Sequence, residues 1–359
     1  MGKRIVIMAG GTGGHVFPAL AVAQSLMEKG WQVSWLGTQK GLESRVIPEH
    51  GIDIDWLSVA GVRGKGLTAK IKALFMLLKA CGQARTILRQ RKPDVVLGMG
   101  GFVAGPGGLM AKLLGIPLVI HEQNRVPGTT NKLLAKMANQ VLEAFPGSFK
   151  KAVKAKCTGN PLRKQFLNLP EMSGKQAHEN IRILVVGGSQ GAQILNEVVP
   201  EAIAELKPEA IAELKQVQVR HQTGAVMQEQ VAARYKTLGV DAEVNAFIED
   251  MTSAYQWADL VICRAGAMTV SEVSAVGVPA IFIPLPGAID DHQTANARYL
   301  TDAGAAIMLA QKDLNVATLL ENITKVSKQL DFMSNTAKQC ARLDATEVVA
   351  DFCMAEAKA

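Results

Sequence analysis

A chain of 359 residues is longer than one hydrophobic core usually organises and points to two domains. With 48% apolar and 20% charged residues it reads as globular, and its five scattered cysteines, without CxxC spacing, speak against a disulfide framework or a zinc site. The net charge of +7 admits a membrane surface or a phosphorylated substrate; nucleic acid fits poorly, because aromatics are 5% and no basic stretch carries interleaved stacking rings.

Taken in chain order, the opening Met1-Gly2-Lys3-Arg4-Ile5 runs at once into a strand, with no signal-peptide pattern. Strands are expected at Arg4–Met8, Gln32–Leu36, Asp94–Leu97, Leu118–His121 and Gln140–Glu143. The first is followed by the turn Gly10-Gly11-Thr12-Gly13-Gly14-His15 and a helix expected to start near Pro18 and stop before Gly30. Alternation of Ile52, Ile54 and Trp56 with Asp53 and Asp55 puts the two acids on the solvent face of a strand, which disfavours a DxD metal site. The segment Leu67 to Leu88 sets Ile71, Leu74, Phe75, Leu77 and Leu78 among Lys72, Lys79, Arg85 and other cations. Two readings fit it: a core-packing helix with solvated lysines, favoured by composition, or a helix lying on a membrane surface. The neighbouring loop Gly61-Val62-Arg63-Gly64-Lys65-Gly66 could grip phosphate.

Thr158-Gly159-Asn160-Pro161 reads as a hinge. The expected domains are 1–158, 159–340 and a C-terminal helix over 341–359 that packs back on the first. In the second half, strands are expected at Arg182–Val186, Val217–His221, Ala242–Ala246, Leu260–Cys263 and Ala280–Ile283. A second turn, Gly187-Gly188-Ser189-Gln190-Gly191, follows the first of these. The octapeptide Pro200–Lys207 repeats at once as 208–215, where Pro208 should break the helix. Apolar strands alternating with helical periods make the expected fold α/β: two doubly wound Rossmann-like domains facing across a cleft.

A glycine turn between strand and helix lets backbone N–H groups converge where the helix dipole favours an anion. The first turn is not a dinucleotide fingerprint, because Val16 stands where a third glycine belongs and the second strand ends Leu36-Gly37-Thr38 without an acid, and no GxxxxGK(S/T) P-loop occurs in the sequence. His15, at the mouth of the first turn, is the first candidate for a general base, ahead of His121 and His292. His121-Glu122-Gln123-Asn124 closes a strand at the rim where open sheets bind ligands, with Glu122 as reserve base and Asn124 as a sugar-binding amide. The run from Arg264 to Glu272 lets backbone approach a ligand, with Glu272 expected in the first helical turn as a ribose acceptor or a dipole-favoured acid. Asp290 to Asn296 opens a further helix with polar groups suited to sugar hydroxyls or to capping.

Six motifs in order carry a resemblance over almost the full length. They are Gly10-Gly11-Thr12-Gly13-Gly14-His15-Val16-Phe17-Pro18, Gly98-Met99-Gly100-Gly101-Phe102, His121-Glu122-Gln123-Asn124, Gly159-Asn160-Pro161-Leu162-Arg163, Gly187-Gly188-Ser189-Gln190-Gly191-Ala192 and Ala267-Met268-Thr269-Val270-Ser271-Glu272. The chain resembles the MurG-type N-acetylglucosaminyltransferases of peptidoglycan synthesis. That resemblance implies a GT-B fold and transfer of GlcNAc from UDP-GlcNAc to the 4-hydroxyl of the muramoyl unit of lipid I, with inversion, giving lipid II. It implies that Ile248 sits by the uracil, Glu272 holds the ribose, Arg163 and Ser189 hold the diphosphate, and Ala267, Met268, Thr269, Val270, Ser271, Asn124 and Gln293 surround the donor sugar. It implies that Thr12, Gly13, Gly14 and His15 lie opposite. It reverses the reading of the basic segment, so that Ile71, Leu74, Phe75, Leu78, Lys72 and Lys79 dock a peripheral protein on the anionic cytoplasmic face of the inner membrane, near other cell-wall synthesis proteins. No cofactor and no metal is implied. A UDP-GlcNAc epimerase and a non-catalytic nucleotide-sugar binder are the alternatives on the same fold.

Overall fold

The computed structural model describes residues 2–59, 67–167, 169, 180–188, 191–206 and 216–357. The chain forms two units: Met1–Lys164 with Arg342–Ala359, and Gln165–Ala341.

The first unit runs β1 (Arg4–Met8), α1 (Gly13–Glu28), β2 (Gln32–Gly37), α2 (Glu43–Glu49), β3 (Asp53–Trp56), α3 (Leu67–Arg91), β4 (Val95–Gly98), α4 (Ala104–Leu113), β5 (Leu118–Glu122), α5 (Thr129–Leu134), β6 (Gln140–Glu143) and β7 (Lys156–Cys157). Its parallel sheet has the order β3-β2-β1-β4-β5-β6-β7. The second unit follows α6 (Lys164–Leu167) with β8 (Asn180–Val186), α7 (Gln193–Ala204), β9 (Gln216–Gln222), α8 (Gln228–Thr237), β10 (Ala242–Asn245), α9 (Met251–Trp257), β11 (Leu260–Cys263), α10 (Ala267–Val276), β12 (Ala280–Phe282), α11 (His292–Thr301), β13 (Ala306–Met308), α12 (Val316–Ser327) and α13 (Leu330–Cys340). Its parallel sheet has the order β10-β9-β8-β11-β12-β13. The last helix, α14 (Ala345–Glu356), belongs to the first unit, where Val349, Ala350 and Cys353 join the core of Val22, Leu26 and Trp35.

Strands buried on both faces must be apolar throughout, and β1, β8 and β11 are: Ile5-Val6-Ile7-Met8, Ile183-Leu184-Val185-Val186 and Leu260-Val261-Ile262-Cys263 are almost wholly excluded from solvent. Each sheet starts in its middle and reverses direction there, at β1/β4 in the first unit and at β8/β11 in the second. Loops leaving the carboxyl ends of the strands at such a reversal border the crevice where open α/β sheets hold ligands. Both glycine turns, the loop after β4 and the loop after β11 occupy those positions.

Several expectations need correction. Helix α1 starts at Gly13, so Pro18 lies inside it and the glycines themselves form its first turn. Glu272 is the sixth residue of α10, in its second turn rather than its first. Helix α7 ends at Ala204, ahead of Pro208, and carries Pro200 inside; positions 207–215 lie outside the described residues. The Thr158–Pro161 segment is buried within the first unit, where Thr158 N–H donates to Glu143 C=O and Asn160 Nδ2 donates to Gln123 C=O. Gly159 there has φ +82°, and a Cβ would lie 2.4 Å from that of Arg342, so the position requires glycine.

Candidate functional site

In the first unit the site grows from the turn after β1. Gly11 N–H donates to Glu43 Oε2 at 3.0 Å, while Thr38 N–H and Oγ1 donate to Glu43 Oε1 at 2.9 and 2.8 Å. Glu43 is fully buried. Gly10, Gly37 and Gly41 make room for it; a Cβ on any of them would come within 2.8 Å of its side chain. The turn therefore carries its own carboxylate, a feature invisible in the sequence because Glu43 lies at the start of another helix.

Thr12 precedes α1 with extended backbone, so Gly13 and Gly14 present first-turn N–H groups. His15 N–H bonds Thr12 C=O at 3.1 Å. The half-buried His15 ring is fixed on two sides. Its Nδ1 lies 2.8 Å from Gln123 Oε1. Its edge abuts Gly100, whose φ is +99° and whose Cβ, were there one, would sit 2.9 Å from the ring. Next to Gly100, Gly101 closes over Gly10 C=O, which any side chain would strike at 2.4 Å. The glycine loop after β4 is thus shaped to receive the loop after β1 and its histidine.

Behind His15, Gln123 Nε2 lies 3.0 Å from His121 Nδ1 and donates to His121 C=O at 3.1 Å. His121 Nε2 lies 2.9 Å from Gly159 C=O. Burial pushes the His121 imidazole down to about 4, so it is neutral near pH 7. Glu122 is buried and its oxygens are occupied: Oε1 accepts from Asn124 N–H and Nδ2 at 2.9 and 3.2 Å, Oε2 from Gly128 N–H and Asn131 Nδ2 at 3.1 and 2.9 Å. It organises the 122–131 loop and thereby orients Asn124. The Arg163 guanidinium lies over the Phe17 ring at 5.6 Å, and Phe17 in turn packs against Gly13. Asp53 and Asp55 grip Arg91 at 2.9 and 2.8 Å.

In the second unit Ser189 and Gln190 lie outside the described residues. The turn around them is tied by Gln222, which sequence reading missed. Gln222 is buried; its Nε2 donates to Gly188 C=O at 2.9 Å and its Oε1 accepts the Ile248 N–H at 2.9 Å. Gly191, at φ +75°, lies so close to Thr223 C=O that a Cβ would be 2.0 Å away. Gly266 is the N-cap of α10, so Ala267, Met268 and Thr269 form its first turn, a place that favours negative or hydrogen-bond-accepting groups. Val270 is fully buried and its side chain belongs to the core, so it can meet a ligand only through its backbone. Ser271 Oγ donates to Ala267 C=O at 3.0 Å. Gln293 Oε1 accepts from Ala265 N–H at 3.2 Å and Leu285 N–H at 3.0 Å, which joins the loops after β11 and β12. Asn296, fully buried, donates to Ala265 C=O at 3.3 Å, so it holds the loop rather than a sugar. Asp290 and Asp291, before α11, both hold left-handed backbone, at φ 54° and 50°. Strain of this kind gathers where ligands bind.

The basic apolar helix behaves unlike a core helix. Helix α3 buries the small stripe Ala80, Ala84 and Leu88 and leaves Leu74, Phe75, Leu77 and Leu78 exposed, with Phe75 at 68%. Lys79 is exposed beside them. The side chains of Ile71 and Lys72, and the whole 61–66 loop, lie outside the described residues. Among the described residues no helix is long and apolar enough to cross a membrane.

The comparisons with known proteins agree along the whole chain. Residues 5–143 match the glycosyltransferase family 28 N-terminal domain and 182–351 its C-terminal domain. The UDP-N-acetylglucosamine–N-acetylmuramyl-(pentapeptide) pyrophosphoryl-undecaprenol N-acetylglucosamine transferase of Methylococcus capsulatus is 56% identical, covering 100% of both chains. The protein of that name from a Shewanella species is 49% identical over 99% of this chain and 98% of its own. Among solved structures, MurG of Acinetobacter baumannii superposes with a TM-score of 0.82 at 42% identity, covering 98% of this chain and 99% of that one. A UDP-GlcNAc 2-epimerase from Neisseria meningitidis shares the fold alone, with a TM-score of 0.67 at 12% identity over 98% of this chain and 100% of that one. The chain has the two-domain, Rossmann-like GT-B fold and belongs to the MurG family of N-acetylglucosamine transferases.

Proposed function

We propose that this protein transfers GlcNAc from UDP-GlcNAc to the 4-hydroxyl of the MurNAc-pentapeptide of undecaprenyl-diphosphate-linked lipid I, with inversion, to form lipid II. The observation that carries this reading is the full-length identity of 56% to a relative named for that transfer. In a single displacement, His15 Nε2 takes the proton of the acceptor hydroxyl as its oxygen attacks the anomeric carbon, and the UDP oxygen leaves with the bonding electrons. Glu122, with both oxygens occupied by loop donors, suits positioning better than proton transfer.

Within the second unit, Ile248, Glu272, Ser189 and the first turn of α10 at Ala267, Met268 and Thr269 serve the uracil, ribose, diphosphate and sugar of the donor, joined by Ser271, Gln293 and the Val270 backbone. Within the first unit, Thr12, Gly13 and Gly14 serve the acceptor, and Asn124 and Arg163 contribute an amide and a cation. The exposed Leu74, Phe75 and Leu78 with Lys79 support docking on an anionic membrane, apolar groups in the headgroup boundary and lysines on lipid phosphates. A peripheral location on the cytoplasmic face of the inner membrane accords with that docking.

The test is transfer of radiolabelled GlcNAc to a short-chain lipid I analogue by the purified protein, with UDP release measured in parallel. The expected result is one UDP per sugar transferred and none without acceptor. Epimerisation of UDP-GlcNAc in the absence of acceptor would overturn the reading.

A further inference from the structure

The hydrogen bonds behind His15 fix where its proton sits. The chain begins at Gly159 C=O, which can only accept, so His121 Nε2 carries the hydrogen and donates. A neutral His121 then offers a lone pair at Nδ1, and the group facing it must donate. Gln123 meets this lone pair and His121 C=O with the same atom, so that atom is the amide nitrogen. The orientation of the amide follows from two acceptors. Its oxygen must therefore face His15, and His15 Nδ1, at 2.8 Å, must be the donor. Asn160 Nδ2 holds the Gln123 backbone from the Gly159 side at 3.1 Å, and Asn131 Nδ2 donates to the same His121 carbonyl at 3.1 Å. Gln123 and His121 are buried, so water does not compete for these positions.

We propose that Gln123, oriented by His121 and the Gly159 carbonyl, is a positioning residue that locks His15 in the tautomer protonated at Nδ1, leaving Nε2 as the unprotonated base. The proposal rests on the reading of His15 as general base and extends it to how that base is prepared. The free imidazole side chain favours hydrogen on Nε2, the form that cannot accept the acceptor's proton there. Gly100 completes the device, because its missing side chain lets the ring seat against the loop after β4.

The experiment reads the tautomer directly. Full-length protein labelled with nitrogen-15 histidine is studied by NMR above the histidine titration range, at about pH 8, and the His15 signals are identified by their loss in His15→Gln. Protonated Nδ1 with a bare Nε2 is expected in the native protein, and hydrogen on Nε2 there overturns the proposal whatever any variant does. In Gln123→Leu, His15 is expected to revert to hydrogen on Nε2. Its kcat should fall roughly 10²-fold, the lower end of what a general base contributes, with the KM for UDP-GlcNAc within about twofold. An unchanged tautomer in Gln123→Leu overturns the proposal. Full transfer activity in His15→Ala would instead overturn the assignment of the base, with the tautomer result intact.

Discussion

The two glycine turns hold equivalent places, each at the carboxyl end of the first strand of its sheet where strand order reverses, yet they are secured in opposite senses. In the first unit an internal carboxylate takes a turn N–H: Glu43 binds Gly11 at 3.0 Å. In the second an amide nitrogen takes a turn carbonyl: Gln222 binds Gly188 at 2.9 Å. A strand–glycine–helix pattern offers N–H groups to an anion, and what already occupies those groups decides its use. The first turn is filled by an anion of its own and serves as a platform for His15. Among the described residues of the second, no side-chain carboxylate takes a turn N–H.

The largest effect should fall on the first turn. His15→Ala is expected to lower kcat about 10²–10⁴-fold in the transfer assay while UDP-GlcNAc binding, read by titration calorimetry, stays within about twofold. Loss of donor binding in step with kcat would place the first turn on the nucleotide and erase the contrast.

Next comes pH, because among the described residues each unit buries one neutral histidine. Burial holds His121 down to about 4 and His221 down to about 3. The unfolded chain protonates both near 6.5, whereas the folded chain does not until well below. Stability is therefore complete above pH 6.5 and falls as pH drops from 6.5 toward 4, by roughly 3 kcal/mol per histidine. Calorimetric scans at pH 7.5 and about 4.5 check this. His221 bonds Tyr235 through Nδ1 and has no partner on Nε2 among the described residues, so His221→Phe should remove the acid sensitivity that this ring gives the second unit and leave that of the first. A pH response unchanged by His221→Phe would show that this ring does not titrate as argued.

Glu43→Gln is third. The amide replaces one charged acceptor by a donor facing Gly11 or Thr38, at a cost of about 2–3 kcal/mol, since hydrogen bonds to a charge are worth about 1.5–3 kcal/mol each. The transition of the first unit should drop by roughly 5–10 °C, while that of the second stays put. An unmoved first transition would mean that Gly11 is not held by the carboxylate and is available to a ligand.

The sheets were legible because buried parallel strands are continuous apolar runs, from Ile5-Val6-Ile7-Met8 to Leu260-Val261-Ile262-Cys263. The short edge strands β7 and β13 were not, since two or three residues carry no period. The start of α1 was misplaced because Pro18 reads as a first-turn residue, yet packing against the sheet carries the helix back through poor helix formers to Gly13. The site motifs could be picked out as residues, but their supports could not. Glu43 reaches Gly11 across 32 positions and Gln123 reaches His15 across 108, and no local pattern encodes such pairings. Helix α3 shows the reverse limit. Its composition fits a core helix, and only the placement of Ala80, Ala84 and Leu88 inward reveals that Leu74, Phe75 and Leu78 face out.

The smallest predicted effect tests the second turn. Gln222 joins Gly188 C=O to the Ile248 N–H through one buried amide. Gln222→Leu keeps the volume and removes both bonds, so a half-buried N–H and a carbonyl lose their partner. That penalty, about 1–3 kcal/mol per group, can be relieved if each group turns to water, and turning moves Ile248 and the glycine loop away from their present places. If those two segments cradle the donor, the KM for UDP-GlcNAc should rise about tenfold, equivalent to roughly 1.4 kcal/mol, with kcat within about twofold. The split in kinetic constants carries the meaning: Gln123→Leu in the first unit should change kcat and spare KM, whereas Gln222→Leu in the second should change KM and spare kcat. Two buried glutamines with the same response would show that both turns serve one step.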